Sequence, residues 1–343
     1  MTSFPYHCQK IRDMIKVLQI GMGPLGIKIA QFIAERPGIE TVAAIDLAPS
    51  LQGKTLDNLA ADLSNQVAIQ ADLAGAVEQC QPDVAVVTTV SDMQRISPLL
   101  LQVIELGLPI VSTCEELSYP WSEAPEWSAK IDTAAKAKGV AVLGTGVNPG
   151  FLMDSLPTFL TSICQKVEKI EIRRYQNASV RRIPFQQKIG AGLDLEAFEA
   201  KRKTGTLRHV GLTESIQFIA AQMAWKLDQT EDILSPVVAK AALVTPDMKV
   251  PAGNATGVRQ IGRGLVDGIE KIRLEFQAAV DEAESYDEVI ITGTPNVHSR
   301  IAGGVHGDVA TCAITVNACK RILSAQAGLR TMADVGITSF FAA

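Results

Sequence analysis

The sequence is poor in the residues that build metal sites and disulfide frameworks. It has four histidines in 343 residues, and none stands in a His-Glu-x-x-His or comparable ligand spacing, which argues against a zinc site. Its six cysteines are widely scattered, and no two form a Cys-x-x-Cys pair. Reduced thiols in a reducing compartment fit this pattern best, so we expect a cytoplasmic protein that holds no metal.

Long apolar runs and an excess of basic charge are also missing. No run approaches the roughly 20 residues that cross a membrane, and residues 1–15 lack the apolar core of a signal peptide. The net charge is −5, and no basic stripe suits nucleic acid. We therefore expect neither a membrane nor a nucleic acid as partner. With 47% hydrophobic residues, the chain can instead bury a core in two domains.

The most informative stretch is rich in glycine. It follows an apolar run at residues 16–20 and precedes helical spacing of apolar residues at 27–35. A G-x-G-x-x-G pattern between a strand and a helix is typical of dinucleotide binding, because the glycines permit a tight turn, close approach of a pyrophosphate and close helix packing. The free N–H groups at the helix start then face the phosphates. We therefore assign the cofactor phosphates to Gly21, Met22, Gly23, Pro24, Leu25 and Gly26.

A second apolar run at residues 41–45 ends in Asp46, which lies 20 positions after Gly26. A carboxylate at this point of the pattern accepts hydrogen bonds from the adenosine ribose hydroxyls and repels a 2′-phosphate. The cofactor is therefore NAD or NADP, with NAD used at least as well. Ser50 and Lys54 follow closely enough to soften that preference.

Strand and helix patterns alternate through residues 1–150, which predicts an α/β fold of the Rossmann type with a doubly wound parallel sheet. After residue 150 the pattern changes. Segments 167–175, 268–279 and 287–292 alternate apolar and polar residues, which predicts an α+β second domain, residues 151–305, with a mostly antiparallel sheet.

Three helices are expected beyond the first domain. They cover residues 151–163, residues 213–227 with Thr213 as its cap, and residues 308–325 with Asp308 as its cap. The last of them belongs to residues 306–343, which we expect to return to the first domain.

Ligands of a parallel sheet bind at the carboxyl ends of its strands, so the chemistry is expected just past each strand. Gly144–Gly150, rich in glycine and proline, is either an interdomain hinge or a ligand loop, and its Asn148 offers both a donor and an acceptor to a carboxamide. Beyond the glycine loop and Asp46, the cofactor contacts are assigned to Thr88, Thr89, Thr113, Cys114 and Asn148.

Glu115 and Glu116 follow the strand at 110–112, whose end should face a nicotinamide. Adjacent carboxylates point in different directions, so at most one of them faces a pocket. A carboxylate there can hold an ammonium or iminium group and move a proton. It can equally be an acid favoured by a helix N-terminus, and spacing alone slightly favours that simpler reading.

Two further groups of residues leave alternatives open. His209 precedes a helix, and it is either a pocket wall, an acid or a purely structural residue. His298 and His306 flank a Gly-Gly turn and could serve only to cap the last helix. Four arginines near the start of the second domain either hold a substrate carboxylate or form a solvated strand face: Arg173, Arg174, Arg181 and Arg182.

Four motifs together resemble one family over nearly the whole chain. They are Gly21–Gly26, Ser112–Leu117, Gly144–Gly150 and His306–Thr311. The combination resembles the 2,4-diaminopentanoate dehydrogenases and the related native NAD(P)-dependent amine dehydrogenases, which have a first domain like that of dihydrodipicolinate reductase. The resemblance implies an enzyme that interconverts a carbonyl compound plus ammonia with an amine, using a nicotinamide hydride.

The same resemblance suggests roles for individual residues. The catalytic glutamate of the family falls on Glu115, with Glu116 as second choice. Asn148 approaches the nicotinamide, and a homodimer forms through the sheet of the second domain. The substrate pocket is assigned to Val147, Pro149, Leu152 and His209.

Two other functions remain open. One is a dehydrogenase of a hydroxyl or semialdehyde substrate, similar to homoserine dehydrogenase, although that family has a lysine where Glu115 stands. The other is a non-catalytic sensor that binds NAD(H). Dihydrodipicolinate reductases proper carry a His-His pair, and this sequence has none.

Overall fold

The computed structural model describes residues 14–179, 183–245 and 248–342. Within these residues the first sheet has seven strands, all parallel, in the order β15-β6-β5-β4-β1-β2-β3. This order confirms the predicted Rossmann-type sheet. The strands are β1 (Ile15–Ile20), β2 (Ile39–Ile45), β3 (Ile69–Gln70), β4 (Val84–Val87), β5 (Ile110–Ser112), β6 (Ala141–Gly144) and β15 (Gly328–Arg330).

Helices cover both faces of this sheet because its strands are apolar on both sides. In β4, Val84 and Val86 face one helix layer, whereas Ala85 and Val87 face the other. The last long helix of the chain packs in the first layer, against the helix that follows β1. The first layer consists of α1 (Pro24–Ala34) and α9 (Gly307–Ile322). The second layer consists of α2 (Leu73–Cys80), α3 (Met93–Glu105) and α4 (Pro125–Lys138).

The second sheet has six strands within the described residues, in the order β14-β13-β7-β12-β11-β8. The neighbouring pairs are antiparallel except β7 with β12, which confirms the predicted, mostly antiparallel sheet. Its strands are β7 (Lys166–Asn177), β8 (Gln229–Val238), β11 (Ala255–Val266), β12 (Ile269–Ala279), β13 (Tyr286–Thr294) and β14 (Val297–Ala302).

One face of the second sheet is apolar and covered by a helix, α8 (Leu212–Gln222). The opposite face carries charged side chains that pair with one another across neighbouring strands, among them Arg259 with Glu275. The remaining short elements are α5 (Ser155–Leu160), α6 (Ile183–Lys188), α7 (Leu195–Lys203), β9 (Leu243–Val244) and β10 (Lys249–Val250).

Three predicted helix starts are wrong. α5 begins at Ser155, because Asp154 caps it, and the segment before it forms turns. α8 begins directly after Gly211, whose φ of +99° suits glycine, so Thr213 is not the cap. α9 begins at Gly307 with His306 as its cap, which leaves Asp308 inside the first turn.

Among the described residues, no helix combines the length and apolarity that a membrane-spanning segment requires. Nowhere in residues 14–179, 183–245 or 248–342 do three or more His, Cys, Asp or Glu side chains come together in a way that could hold a metal ion. The described part of the chain therefore offers no candidate metal centre. The division of the chain at residues 150 and 305 stays a prediction.

Candidate active site

A cleft of about 210 Å³ lies between the carboxyl ends of the parallel strands and the covered face of the second sheet. The loops after β5 and β6, the strands β7 and β12, and the start of α9 all contribute to its walls. Its lining residues are Leu25, Thr113, Glu115, Thr145, Gly146, Val147, Asn148, Pro149, Arg174, Gln176, Phe185, Lys188, His209, Phe276, Gly307, Asp308 and Thr311.

The glycine loop between β1 and α1 has the geometry that its sequence predicts. Gly21 has a φ of +95°, and a Cβ there would lie 2.6 Å from the carbonyl oxygen of Thr88. The Thr88 hydroxyl donates to the Gly21 carbonyl at 2.7 Å. A Cβ on Gly26 would lie 2.0 Å from the same Gly21 oxygen, whereas a Cβ on Gly23 would meet no atom within 4 Å. Gly23 therefore faces open space at the start of α1, beside N–H groups that no side chain caps.

Asp46 joins the loops that follow β1 and β2. Its Oδ2 accepts the N–H of Met22 at 2.7 Å, and its Oδ1 accepts the N–H of Ala48 at 2.8 Å. Each carboxylate oxygen can accept a further hydrogen bond, so both remain suitable for ribose hydroxyls. The two backbone amides fix the carboxylate next to the glycine loop.

The structure separates the two adjacent glutamates. Both lie in the short 3₁₀ turn Glu115–Ser118, but only Glu115 lines the cleft. The Oε2 of Glu116 accepts the N–H of Met93 at 2.7 Å, at the start of α3. Glu116 therefore lines a second cavity, on the other side of the turn.

The loop Gly144–Gly150 carries Asn148 into the cleft. The Nδ2 of Asn148 donates to the Met153 sulfur at 3.0 Å, while its buried Oδ1 has no hydrogen-bond partner among the described residues. Asp154 holds the end of this loop, since its Oδ2 accepts both the Gly150 N–H at 2.7 Å and the Ser215 hydroxyl at 2.9 Å. Burial raises the pKa of Asp154, and these hydrogen bonds oppose that rise. No sequence motif pointed to Asp154.

His209 lines the cleft as a neutral imidazole. Its Nδ1 is 2.8 Å from the carbonyl oxygen of Val210, so Nδ1 carries the proton and Nε2 is left as an acceptor. Burial lowers the pKa of His209, and together with the positive charge of Arg174 it brings that pKa to about 4. The ring packs 4.8 Å from that of Phe276. His209 is therefore a wall and an acceptor at neutral pH, and not an acid.

Two residues that the sequence assigns to the site have side chains outside the cleft. Leu152 is buried in the core of the second domain, with Ile172 and Ile219, and does not line the cleft. Cys114 is buried in the core of the first domain, where burial raises the pKa of its thiol to about 12. Leu152 and Cys114 are apolar, and the neighbouring strands and turns cover the side of the backbone from which their side chains project. Both side chains are therefore buried in the cores.

The arginine cluster does not act as one group. The Arg174 guanidinium is buried, pairs with Asp287 at 2.5 Å and donates to the carbonyl of Val305, while Arg173 pairs with Glu288 on the charged face of the sheet. Arg181 and Arg182 lie outside the described residues.

Sequence patterns missed two charged residues of the cleft. Lys188 comes from the short helix α6, and Asp308 comes from the first turn of α9. Lys188 stands in no motif, and Asp308 is predicted from the sequence only as a helix cap within the motif His306–Thr311, so the fold alone brings the two to the site.

Comparison with known proteins places the chain in a family. Residues 151–342 match the family described as the 2,4-diaminopentanoate dehydrogenase C-terminal domain. The 2,4-diaminopentanoate dehydrogenase of Acetoanaerobium sticklandii is 30% identical over 335 residues, which cover 95% of this chain and 94% of that protein. The amine dehydrogenase of Streptomyces virginiae is 21% identical over 91% of each chain.

Solved structures share the fold. An amine dehydrogenase from Mycobacterium smegmatis superposes with a TM-score of 0.80 at 22% identity, over 95% of this chain and 97% of that one. A dihydrodipicolinate reductase from Paenisporosarcina sp. TG-14 superposes with a TM-score of 0.52 at 13% identity, over 94% of this chain and 100% of that one. On the match of its second half and the identity over its whole length, this chain belongs to the 2,4-diaminopentanoate dehydrogenase family.

Proposed function

We propose that this protein is an NAD(P)-dependent amine dehydrogenase. It catalyses the reversible oxidative deamination of a small amine, which in reverse is the reductive amination of a small ketone or aldehyde with ammonia. The observation that carries the proposal is the position of Glu115, which lines one cleft together with Asn148 and with Leu25 of the glycine loop.

The residues present fit a nicotinamide dinucleotide. Gly23 leaves open space for a pyrophosphate, and Asp46 can accept hydrogen bonds from ribose hydroxyls. The unpartnered Oδ1 of Asn148 can accept the N–H of a carboxamide, which would remove the cost of a buried acceptor without a donor. When bound, the nicotinamide supplies or accepts the hydride.

The protein's own residues manage protons and charge. In amination, Glu115 takes a proton from the ammonium ion, and the resulting ammonia adds to the carbonyl carbon to give a hemiaminal. Protonated Glu115 then returns that proton to the hemiaminal hydroxyl, which leaves as water. The carboxylate so regenerated stabilises the positive iminium, and Nε2 of neutral His209 can accept one of its N–H groups. Val147, Pro149 and Phe276 provide the apolar walls that exclude water.

We infer that the substrate carries a carboxylate and a second amino group, as the name of the A. sticklandii relative implies for that protein. Arg174 is already paired with Asp287, so Lys188 is the cation better placed to bind the carboxylate. Asp308, which also lines the cleft, has the charge to accept the second ammonium group.

Amination should depend strictly on ammonia. Lys188→Met should raise KM for a diamino acid by about 10- to 100-fold, which corresponds to the free energy of one hydrogen bond to a charged group. KM for an alkyl amine without a carboxylate should not change. The measurement is NAD(P)H consumption or formation with both substrate types, and the control is Lys203→Met on exposed α7. Equal carbonyl reduction without ammonia would instead favour a hydroxyl or semialdehyde dehydrogenase. Turnover of neither type, with NADH still bound, would favour a sensor.

Asp46→Asn should shift cofactor preference towards NADP by about tenfold or more. Removing the charge removes a repulsion of roughly 1–3 kcal/mol from a 2′-phosphate, while the amide oxygen can still accept one backbone N–H. The measurement is the ratio of kcat/KM values for the two cofactors. A wild-type enzyme that strongly prefers NADP, or a variant with an unchanged ratio, would show that Asp46 does not meet the ribose.

We also propose that the protein is a cytoplasmic homodimer. The charged face of the second sheet is the proposed interface, because it carries buried carboxylates, Glu275 and Glu288, within ion pairs that a second copy would shield from water. The five described cysteines are free thiols, which suits a reducing compartment. Sedimentation equilibrium should give twice the chain mass, and a monomer mass at micromolar concentration would contradict the dimer.

A further inference from the structure

A second cavity, of about 200 Å³, lies behind the turn that carries Glu115. Three carboxylates and one guanidinium line it: those of Glu116, Glu123, Glu214 and Arg208. The Nε of Arg208 is 3.9 Å from a carboxylate oxygen of Asp232, outside the cavity, so part of its charge is already compensated there. The cavity therefore has an excess of negative charge.

Glu214 is the buried member of this group. Glu214 is 3% exposed to solvent, and its Oε2 has no hydrogen-bond partner among the described residues. Burial raises the pKa of Glu214 to about 7, and the charges of Glu116 and Glu123 contribute to the rise. The Glu214 carboxyl therefore needs a donor for Oε2 and more positive charge than Arg208 supplies, because Arg208 is shared with Asp232; each shortfall carries a free-energy cost. A cation with N–H donors would supply both.

The chemistry of the lining selects among cations. The described carboxylates do not come together in a group that could hold a metal ion. An ammonium ion brings four N–H donors of its own and tolerates looser spacing of acceptors. The cavity also shares its walls with the cleft: Glu115 and His209 line the cleft, while their neighbours Glu116 and Arg208 line the cavity.

We propose that this cavity is a binding site for ammonium, the cosubstrate of amination and product of deamination, held directly behind the catalytic cleft by Glu214, Glu116 and Glu123. The proposal rests on the proposed function for the use of the ion. Binding itself can be tested without turnover.

The test compares thermal unfolding of the full-length protein in ammonium, potassium and tetramethylammonium chloride at equal ionic strength. Wild-type protein should gain about 1–2 °C in Tm with ammonium alone, and the gain should saturate with concentration. Tetramethylammonium has the charge without the N–H donors, so it should behave as potassium does. Glu214→Gln should lose the ammonium-specific gain, whereas Glu196→Gln, an exposed glutamate of α7, should keep it.

Kinetics provide the second measurement. Glu214→Gln should raise KM for ammonium at least fivefold while KM for the carbonyl substrate stays unchanged. Glu123→Gln, on the exposed rim, should raise KM for ammonium about twofold. This variant replaces Glu214→Gln in the test if Glu214→Gln does not fold. Equal Tm values in ammonium and potassium for wild type, or a full ammonium response in both variants, would overturn the site. If ammonium raises the Tm specifically but the protein turns over no amine, the ammonium site is supported and the proposed function is contradicted.

Discussion

Replacing Glu115 with glutamine is expected to lower kcat for amination by about 10²- to 10⁴-fold, the usual contribution of a positioned general acid–base group. The amide has nearly the same shape as the carboxylate, but it can neither carry the proton nor stabilise a positive iminium. NAD(P)H affinity should stay within about twofold, because the glycine loop and Asp46 are untouched. Steady-state kinetics and titration of NADH fluorescence measure the two quantities separately.

The control for this experiment is Glu78→Gln, which removes the same charge from an exposed position on α2. That variant should retain wild-type kcat. Retained kcat in Glu115→Gln would exclude Glu115 from the proton steps. A lower kcat accompanied by much weaker NADH binding would place Glu115 against the cofactor instead of the substrate.

The first sheet is predictable because its signals are local. β1, β2, β4 and β5 are short apolar runs, buried on both faces, and each is separated from the next by a helical pattern. The edge strand β15 has only three residues, and its pairing with β6 joins segments far apart in sequence. No local pattern could have identified it.

The second sheet was only partly predictable, because glycine occurs both in turns and inside strands that pack closely against a neighbour. β11 contains Gly257, Gly262 and Gly264, which suggest turns in a sequence. In the structure, a Cβ on Gly262 would lie 2.7 Å from Ile216 of α8, and one on Gly257 would lie 1.9 Å from the Ala278 carbonyl oxygen. These glycines let a helix and a neighbouring strand pack closely, which is a tertiary requirement that spacing does not reveal.

The choice between Glu115 and Glu116 also depended on a distant contact. Adjacent residues of one turn carry equal local information, and spacing alone slightly favoured a simple helix-terminus role. That role belongs to Glu116, whose carboxylate accepts the Met93 N–H at the start of α3. Once Glu116 is held there, Glu115 is left to line the cleft.

Gly23→Ala is expected to raise the Kd for NAD(P)H at least tenfold without changing protein stability. Gly23 has a φ of −70°, which alanine adopts readily, and its Cβ would meet no protein atom within 4 Å. The added methyl group would therefore occupy only the space through which a pyrophosphate reaches the backbone. Unchanged affinity in a folded variant would show that the phosphates do not approach Gly23.

Gly26→Ala is expected to act through the fold itself, and the two variants together separate the roles of the glycines. Its Cβ would lie 2.0 Å from the Gly21 carbonyl oxygen and 2.9 Å from the Thr88 hydroxyl, so α1 must move away from β1. Such overpacking costs about 1–3 kcal/mol or more in the free energy of unfolding. Denaturant unfolding should therefore show a lower midpoint for Gly26→Ala and an unchanged one for Gly23→Ala, while both lose cofactor affinity. A Gly26→Ala variant as stable as wild type would mean that α1 can shift freely on β1, and that the third glycine is not needed for helix packing.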